Sequence, residues 1–261
     1  MQLTPAYPTL QHEQAAQRVV EFFSRQRDVD AVLLTCSCAR GRASRDSCLD
    51  ICILISDKLP ASRRRELEQT WEHFDQAEPV LAALRQVGKY SQVDLEFSNG
   101  CFVPGYHGWT SGPDEFELEI GNTLVYSVPL WTQGDHLERL KAQWRPYYDE
   151  AMRRERLEMV RRFCLNNLDH IPLYVERELY FQSFRRLYNA FGEFLQALFI
   201  LRRIYPIAYD KWVREQIVDI LSLPELYAQL SQLFEIQRFE SHEIASKSAS
   251  LKRLVEQYVN E

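Results

Sequence analysis

The hydrophobic pattern of the chain changes near residue 145. Before this point short apolar runs are separated by glycine and proline, and after it apolar residues recur at helical spacing almost throughout. The stretch QWRPYYDE (143–150) lies at the change, where Pro146 fits a boundary or the first turn of a helix. The pattern therefore predicts an N-terminal domain over 1–144 and a C-terminal domain over 145–261.

The N-terminal part mixes helix-like and strand-like segments. Helical spacing covers 10–26 and 62–74, and Ser62 is the expected cap of the second helix. The segments that predict strands are 30–35, 48–55, 91–97 and, as an edge strand limited by Pro129, 121–131. Strands interspersed with helices predict a mixed sheet flanked by helices.

The C-terminal part predicts an all-helical bundle. Its helical segments are 149–169, 176–204, 209–221, 223–236 and 239–259. The segment 176–204 is apolar on more than one face, as expected for the middle helix of a bundle, and Tyr180 and Phe181 are expected in its core. Together with the N-terminal sheet, this bundle makes the predicted fold class α+β.

Composition narrows the class of protein. The chain has 261 residues, 46% hydrophobic and 26% charged, as in a soluble globular protein. No apolar run approaches the ~18 residues of a membrane span, and no secretory signal pattern is visible. Six cysteines, mostly within apolar runs, suit a reducing compartment, so we expect a cytoplasmic protein without membrane contact. The formal net charge of −6 argues against a nucleic-acid binder.

Carboxylates on two predicted strands form the first candidate site. Asp50 lies between apolar residues on one strand, and Asp94 lies on another. If these strands are neighbours, the carboxylates converge and repel each other unless a cation lies between them. Oxygen ligands of this kind select Mg²⁺ or Mn²⁺, which commonly hold nucleotide phosphates. Glu96 shares a face with Asp94 and is a candidate general base. A salt-bridged Asp50 and a strand with one wet face are the plainer alternatives.

The loop before Asp50 forms the second candidate site. Ser37 follows a predicted buried strand and precedes the segment CARGRAS, which contains Arg40. A strand that leads into a helix start presents backbone N–H groups to an anion. A serine hydroxyl can donate to a phosphate oxygen, and arginine can bind phosphate bidentately. Ser37 and Arg40 are therefore predicted to bind phosphate, with a solvated loop arginine as the alternative for Arg40.

These residues resemble the motif of the nucleotidyltransferase superfamily related to DNA polymerase β. That motif is a hydrophobic strand, Gly-Ser, a spacer, and then Ser-Asp-hydrophobic-Asp-hydrophobic, with a third Asp on a later strand. In LLTCSCARGRASRDSCLDICIL, Cys36-Ser37 stands at Gly-Ser and SCLDI (47–51) at the second element, while QVDLEF supplies Asp94. The all-helical C-terminal part resembles that of bacterial small-molecule nucleotidyltransferases.

The resemblance implies transfer of a nucleoside monophosphate from an NTP, with ATP as the expected donor, to a hydroxyl of a small molecule or a protein. It implies that Asp50 and Asp94 hold Mg²⁺ or Mn²⁺. It also implies that Ser37, Arg40 and Ser47 bind the donor phosphates. No GxxxxGK[ST] or GxGxxG loop is present in the sequence to suggest a different nucleotide site.

Two further features are weaker candidates. Lys211, in the aromatic stretch YPIAYDKW, is expected to reach the β- or γ-phosphate or to pair with a carboxylate of the other domain. The acidic stretch HGWTSGPDEFELE (107–119) is either a solvated loop or part of an acceptor pocket for a cationic substrate. The acceptor itself is expected between the domains.

Two cysteines depart from the family motif. Cys36 replaces the glycine that lets the backbone approach phosphate, and Cys48 replaces the first metal-binding Asp. A thiol is a poor ligand for Mg²⁺, and Glu96 and Asp46 are candidate substitutes. The alternative function is therefore a catalytically degenerate protein that binds nucleotide or a partner without turnover. An interaction protein of the toxin–antitoxin kind rests only on analogy of domains.

Cys48 itself has three further interpretations. It can be a small buried apolar residue, the commonest state of a free cysteine. It can be a redox-active or nucleophilic thiol. It can also belong to a zinc site with Cys36, Cys38 and Cys52, although their spacing is not that of common zinc ribbons.

Overall fold

A computed structural model describes residues 3–260 of the chain. Its internal contacts divide the chain into two compact units. The first unit comprises Met1–Phe102 and Ile120–Pro146, and the second comprises Val103–Glu119 and Tyr147–Glu261. The second unit thus includes the segment 103–119, which the hydrophobic pattern assigned to the N-terminal domain. The fold is α+β, with a four-stranded mixed sheet and a helical C-terminal region.

The regular elements follow one another in this order: α1 (Leu10–Phe23), β1 (Val29–Leu34), α2 (Cys36–Ala39), β2 (Leu49–Ile55), α3 (Ala61–Ala77), α4 (Pro79–Leu84), β3 (Val93–Ser98), α5 (Phe116–Ile120), a π-helical turn (Gly121–Val125), β4 (Val128–Thr132), α6 (His136–Trp144), α7 (Glu150–Glu176), α8 (Tyr180–Arg202), a second π-helical turn (Glu215–Ile220), α9 (Pro224–Leu233) and α10 (Glu243–Tyr258).

The sheet of the first unit has the strand order β3-β2-β1-β4. The strand β1 pairs antiparallel with β2 and with β4, whereas β2 pairs parallel with β3. The two central strands are almost entirely buried, which explains their near-continuous apolar sequences. The edge strand β3 keeps a wet face, since Asp94 and Glu96 on it are exposed.

Alternation along β2 builds the core of the first unit, as the sequence predicts. Leu49, Ile51, Ile53 and Ile55 are buried in one apolar cluster with residues of α1, α3 and α4. Phe23 of α1 contributes to that cluster and lies 5.3 Å, centroid to centroid, from the ring of Trp71 on α3.

Two local predictions for the first unit are wrong in detail. The segment 121–131 is not one strand, because Gly121–Val125 continues the helix α5 as a π-helical turn and only Val128–Thr132 is extended. Pro129 is tolerated there because β4 is an edge strand, and it pairs with Leu33 next to a register shift. Ser62 does not cap α3, which begins at Ala61 after Pro60.

The helices of the second unit begin and end at other residues than predicted. The helix α7 continues through Pro172 to Glu176, and α8 begins only at Tyr180. Within the predicted helix 209–221, helical backbone begins only at 213, and Glu215–Ile220 is the π-helical turn. Pro172 lies near the C-terminal end of α7, where loss of one N–H donor interrupts few turns.

The helix α8 is the central element of the second unit, as predicted. It is buried without interruption from Ala190 to Ile200 and packs against α7 and α10. Apolar residues of α7, α9 and α10 complete one continuous core around it. Phe181, at the start of α8, is the exception, since 80% of it is exposed where a core position was expected.

Part of the segment 103–119 packs on the helices, whereas 103–106 and 109–111 are exposed to solvent. Pro113 lies so close to Gly192 of α8 that a Cβ at Gly192 would approach its ring to 2.8 Å. Asp114 and Glu117 are buried and form ion pairs with the buried Arg156 of α7, at 2.8 and 2.7 Å. These pairs compensate both carboxylates, so the structure does not support the predicted acceptor pocket for a cation here.

A buried histidine completes this charge network. The side chain of His107 is 1% exposed. Its Nδ1 lies 3.5 Å from Asp114 Oδ2 and its Nε2 lies 3.5 Å from Glu193 Oε1. These contacts are ion pairs whose geometry does not meet that of a hydrogen bond. Burial opposes its charge, but the two carboxylates outweigh burial and raise the pKa of His107 to about 9. The ring also stacks on Phe163, with centroids 4.5 Å apart.

No helix among the residues from 3 to 260 combines the length and the apolarity of a membrane span.

We predict that the protein loses stability as the pH rises into the alkaline range, because His107 loses its proton there. Its folded pKa of about 9 exceeds the ordinary value of 6.5, so its stabilising effect is complete below pH 6.5 and is lost as the pH rises through 9. The loss amounts to roughly 3 kcal/mol in the free energy of unfolding. Urea unfolding of the wild type and of His107→Gln between pH 6 and pH 10 measures it.

The variant should be less stable than the wild type at pH 6, and the difference should shrink toward pH 10. His73→Gln, at an exposed position of α3, is the control and should leave the difference near zero at every pH. A constant difference between wild type and His107→Gln would show that His107 is neutral in the folded protein.

Candidate active site

The parallel pairing of β2 and β3 brings the two predicted carboxylates together. Asp50 is the direct register partner of Asp94. One ligand atom each of Cys48, Asp50 and Asp94 lie within 4.8 Å of one another, the only group of this kind among residues 3–260. Cys48 and Asp50 are half-buried and Asp94 is exposed, so the group is reachable from solvent.

The thiol of Cys48 contacts the carboxylate of Asp50. Its Sγ donates to Asp50 Oδ1 at 3.2 Å and to Oδ2 at 3.3 Å. Burial, then the charge and the hydrogen bond of Asp50, then the charge of Asp94 raise the pKa of Cys48 to about 12. Cys48 is therefore a neutral hydrogen-bond donor at neutral pH, where the family motif has a third negative charge.

The loop between β1 and β2 is held to the sheet by backbone contacts. The N–H of Thr35 donates to the carbonyl of Asp50 at 3.0 Å. Ser91 Oγ donates to the carbonyl of Arg45 at 2.7 Å, and Asp46 Oδ1 accepts from the N–H of Lys89 at 3.1 Å. Asp46 is thus used to fasten the loop and does not belong to the group that could hold an ion.

The backbone keeps the geometry of a glycine at Cys36. This residue has φ = +52°, in the left-handed region that side chains with a Cβ rarely adopt. It stands where the family motif has glycine, so the cysteine has replaced the residue type but not the conformation. Cys36 is the first residue of the short helix α2, and Ser37 follows it within that helix.

Three of the phosphate candidates, Ser37, Arg40 and Ser47, lie in or next to this loop. Ser37 and Arg40 are half-buried, and the charge of Arg40 acts on the thiol of Cys36. Ser47 Oγ accepts from the N–H of Ser44 at 2.9 Å, so this hydroxyl helps to shape the turn. Their contacts with phosphate remain predictions.

The other thiols near the site, those of Cys36, Cys38 and Cys52, are protonated and do not form a metal cluster. Burial first, and the charge of Asp50 next, raise the pKa of Cys36 to about 11 and that of Cys38 to about 12. Burial and Glu96 raise the pKa of Cys52 further. Within residues 3–260 these thiols form no group with Cys48 that could hold an ion, so the structure gives no support to the zinc alternative.

Glu96 and Lys211 lie outside the group of three. Glu96 is the register partner of Cys52. This pair lies two residues further along each strand than the pair of Asp50 and Asp94. Lys211 is an exposed residue of the second unit between α8 and the second π-helical turn, and its carbonyl accepts from Gln216 Nε2 at 3.0 Å. Their catalytic and phosphate-binding roles remain predictions.

His12 supports the loop and was missed by the sequence analysis. It is fully buried, its Nδ1 lies 2.8 Å from Thr9 Oγ1, and its Nε2 lies 3.0 Å from the carbonyl oxygen of Ser47. The signal was present, since His12 lies on the buried face of α1 with Ala15, Ala16 and Val19. A polar residue on an apolar helix face must find a buried partner.

Comparison with known proteins gives little beyond the fold. No protein-family model matches the chain, and no curated protein matches it. Among solved structures, a nucleotidyltransferase-like protein from Exiguobacterium sibiricum is similar at 12% identity, with a TM-score of 0.46, over 94% of this chain and 74% of that one. At this level of similarity the residues of the site, and not the neighbour, define its chemistry.

We predict opposite preferences for glycine and valine at two cysteines of the site. At Cys36, where φ is positive, Cys36→Gly should be more stable than Cys36→Val by about 2 kcal/mol, because valine is strained there. At Cys52, inside β2, Cys52→Val should be the more stable by about 1 kcal/mol or more, because valine favours a strand. Urea unfolding of the four variants shows whether glycine or valine is the more stable at each position. The same preference at both positions would contradict the backbone conformation of Cys36.

We also predict that Asp50 suppresses the reactivity of Cys48. Iodoacetamide at pH 8 should modify the exposed Cys101 first, because the Cys48 thiol is protonated. In Asp50→Asn the rate at Cys48 should rise severalfold, since a charge and a hydrogen bond that raise its pKa are lost. Peptide mass spectrometry reads both rates, and Cys101 is the internal control. An unchanged rate at Cys48 would contradict the contact with Asp50.

Proposed function

We propose that the protein is a metal-dependent nucleotidyltransferase, which moves a nucleoside monophosphate from an NTP, with ATP as the expected donor, to a hydroxyl of a small molecule or a protein. The observation that carries the proposal is the convergence of Asp50 and Asp94 on paired parallel strands, with Cys48 beside them. Opposed carboxylates on the surface of a sheet are a natural place for a divalent cation.

The residues present fit an oxygen-preferring ion in part. The carboxylates of Asp50 and Asp94 suit Mg²⁺ or Mn²⁺, whereas the thiol of Cys48 does not suit Mg²⁺. We therefore assign the ion to the two carboxylates, with water and donor phosphate as further ligands. Such an ion, when bound, neutralises phosphate charge and favours attack at the α-phosphorus.

The other residues bind the donor and handle the proton. Ser37 and Arg40 are proposed to bind phosphate oxygens, by a hydroxyl donor and a bidentate guanidinium. Ser47 is proposed to donate its hydroxyl to a phosphate oxygen, while its Oγ accepts from the N–H of Ser44 and lies 3.3 Å from Ser44 Oγ. Glu96 is exposed on the same face of β3 as Asp94 and is proposed to accept the proton of the attacking hydroxyl.

A second candidate function is nucleotide or partner binding without turnover. The observation that favours it is the protonated thiol of Cys48, which donates to Asp50 where the family motif has a metal ligand. A site with one carboxylate fewer holds Mg²⁺ less strongly, and binding can survive where transfer does not.

Release of pyrophosphate tests these functions. The wild type is incubated with labelled NTPs, hydroxylated acceptors and either Mg²⁺ or Mn²⁺. We expect turnover that is faster with Mn²⁺ and that falls at least about 100-fold in Asp50→Ala, because one of two carboxylate ligands is lost. In Cys48→Asp the rate with Mg²⁺ should rise about 10-fold or more, because the hard ligand is restored.

Asp57→Ala is the matched control, since Asp57 is an exposed aspartate just after the other end of β2. It should leave the rate unchanged. Turnover only in Cys48→Asp would select the binding function, and failure of both proteins to bind any nucleotide would contradict both functions.

A further inference from the structure

We propose that the second unit carries a binding site for a small anion attached to a flat ring. The site is a surface groove of about 370 Å³ beside the start of α8. Its lining residues are Thr110, Phe181, Gln182, Arg185, Arg186 and Asn189. Grooves of roughly 300–1,000 Å³ are the size that small ligands occupy.

Two neighbouring arginines give the groove a positive charge without a paired carboxylate. Arg185 is exposed and has no hydrogen-bond or ion-pair partner among residues 3–260. Arg186 is only 9% exposed, yet within the same described range it too has no carboxylate at ion-pair distance. A buried arginine is normally paired, and the chain as a whole carries a net charge of −6, so this local excess of positive charge is unusual.

The contacts of Arg186 hold its guanidinium in place without neutralising it. It donates to Asn167 Oδ1 at 3.1 Å and to the hydroxyl of Tyr174 at 3.3 Å, and it lies 5.2 Å from the centroid of the Tyr174 ring. Glu193 is not at ion-pair distance from Arg186, although the charge of Arg186 acts on it and Asn167 Nδ2 donates to it. Two of the five N–H groups of Arg186 are used in these bonds, which leaves donors for an oxyanion.

Phe181 supplies a surface for a ring. It is 80% exposed, and its own ring contacts Phe239 at a centroid distance of 4.9 Å. One side of the ring is therefore supported by the protein while most of it faces solvent. A flat apolar group stacked there would remove exposed aromatic surface from water.

The opposite side of the groove is polar and fixed. Asn189 Nδ2 donates to the carbonyl of Thr110 at 2.8 Å, which ties the segment 103–119 to α8 at this point. The amide of Gln182 adds a further donor and acceptor. Arginine beside an open aromatic ring and amides selects an oxyanion, phosphate before carboxylate, that is linked to a ring. This site does not depend on the proposed transfer reaction, since its residues all belong to the second unit.

Calorimetric titration with phenyl phosphate tests the proposal, with inorganic phosphate, benzoate and phenol as separate arms. The wild type should bind phenyl phosphate saturably at millimolar concentration or below, and more tightly than each of the other three compounds. Arg185→Met should weaken phenyl phosphate about 10-fold. Phe181→Ser should weaken phenyl phosphate severalfold and leave inorganic phosphate unchanged. Benzoate bound more tightly than phenyl phosphate would overturn the assignment of phosphate.

Arg202→Met is the matched control, because Arg202 is an exposed arginine at the other end of the same helix. It should bind phenyl phosphate as the wild type does. Arg185 and Phe181 are exposed, so both variants should keep the wild-type circular dichroism and melting temperature, whereas the buried Arg186 is left intact. Equal losses in Arg185→Met and Arg202→Met, or no saturable binding by the wild type, would overturn the proposal.

Discussion

The register of one parallel strand pair determines the chemistry of the first unit. Asp50 and Asp94 face each other only because β2 and β3 pair at that residue, and a slip by one position would turn Asp94 to the other face of the sheet. The apolar residues of β2 oppose such a slip, since Leu49, Ile51 and Ile53 are buried in the core. Packing on one face therefore fixes the position of two like charges on the other.

The two units manage negative charge in different ways. In the first, Asp94 is exposed and Asp50 accepts from the neutral thiol of Cys48. In the second, Asp114 is buried and its charge is balanced by Arg156 and His107. Burial alone would raise the pKa of Asp114, yet His107 and Arg156 lower it to about 2. Pairing with buried cations suits a structural core, whereas an exposed carboxylate such as Asp94 is open to ions from solution.

Local periodicity predicted most helices and strands of the protein. The predictions failed where contacts with residues distant in sequence determine the structure. The strands β1, β2 and β3 and the central helix α8 follow from alternation and helical spacing, because their pattern is set by the core they face. The acidic stretch 107–119 could not be placed from its sequence, because Asp114 and Glu117 pair with Arg156, which is distant in sequence. Phe181 was misassigned because position in an apolar segment does not reveal which face of a helix is covered. For the site, the motif predicted Asp50 and Asp94, but the contact of Cys48 with Asp50 required coordinates.

The exchange of a carboxylate for Cys48 has two opposed consequences for the site. A neutral thiol removes one negative charge beside Asp50 and Asp94, which lowers their mutual repulsion when no cation is bound. Under the proposed function the same difference removes one hard ligand, so the affinity for Mg²⁺ falls more than that for Mn²⁺, which tolerates softer donors. Cys36 has the left-handed backbone conformation that glycine adopts readily, so the turn before Ser37 reaches this shape without glycine. Under the same proposal, the choice of ion therefore limits transfer more than the shape of this turn does.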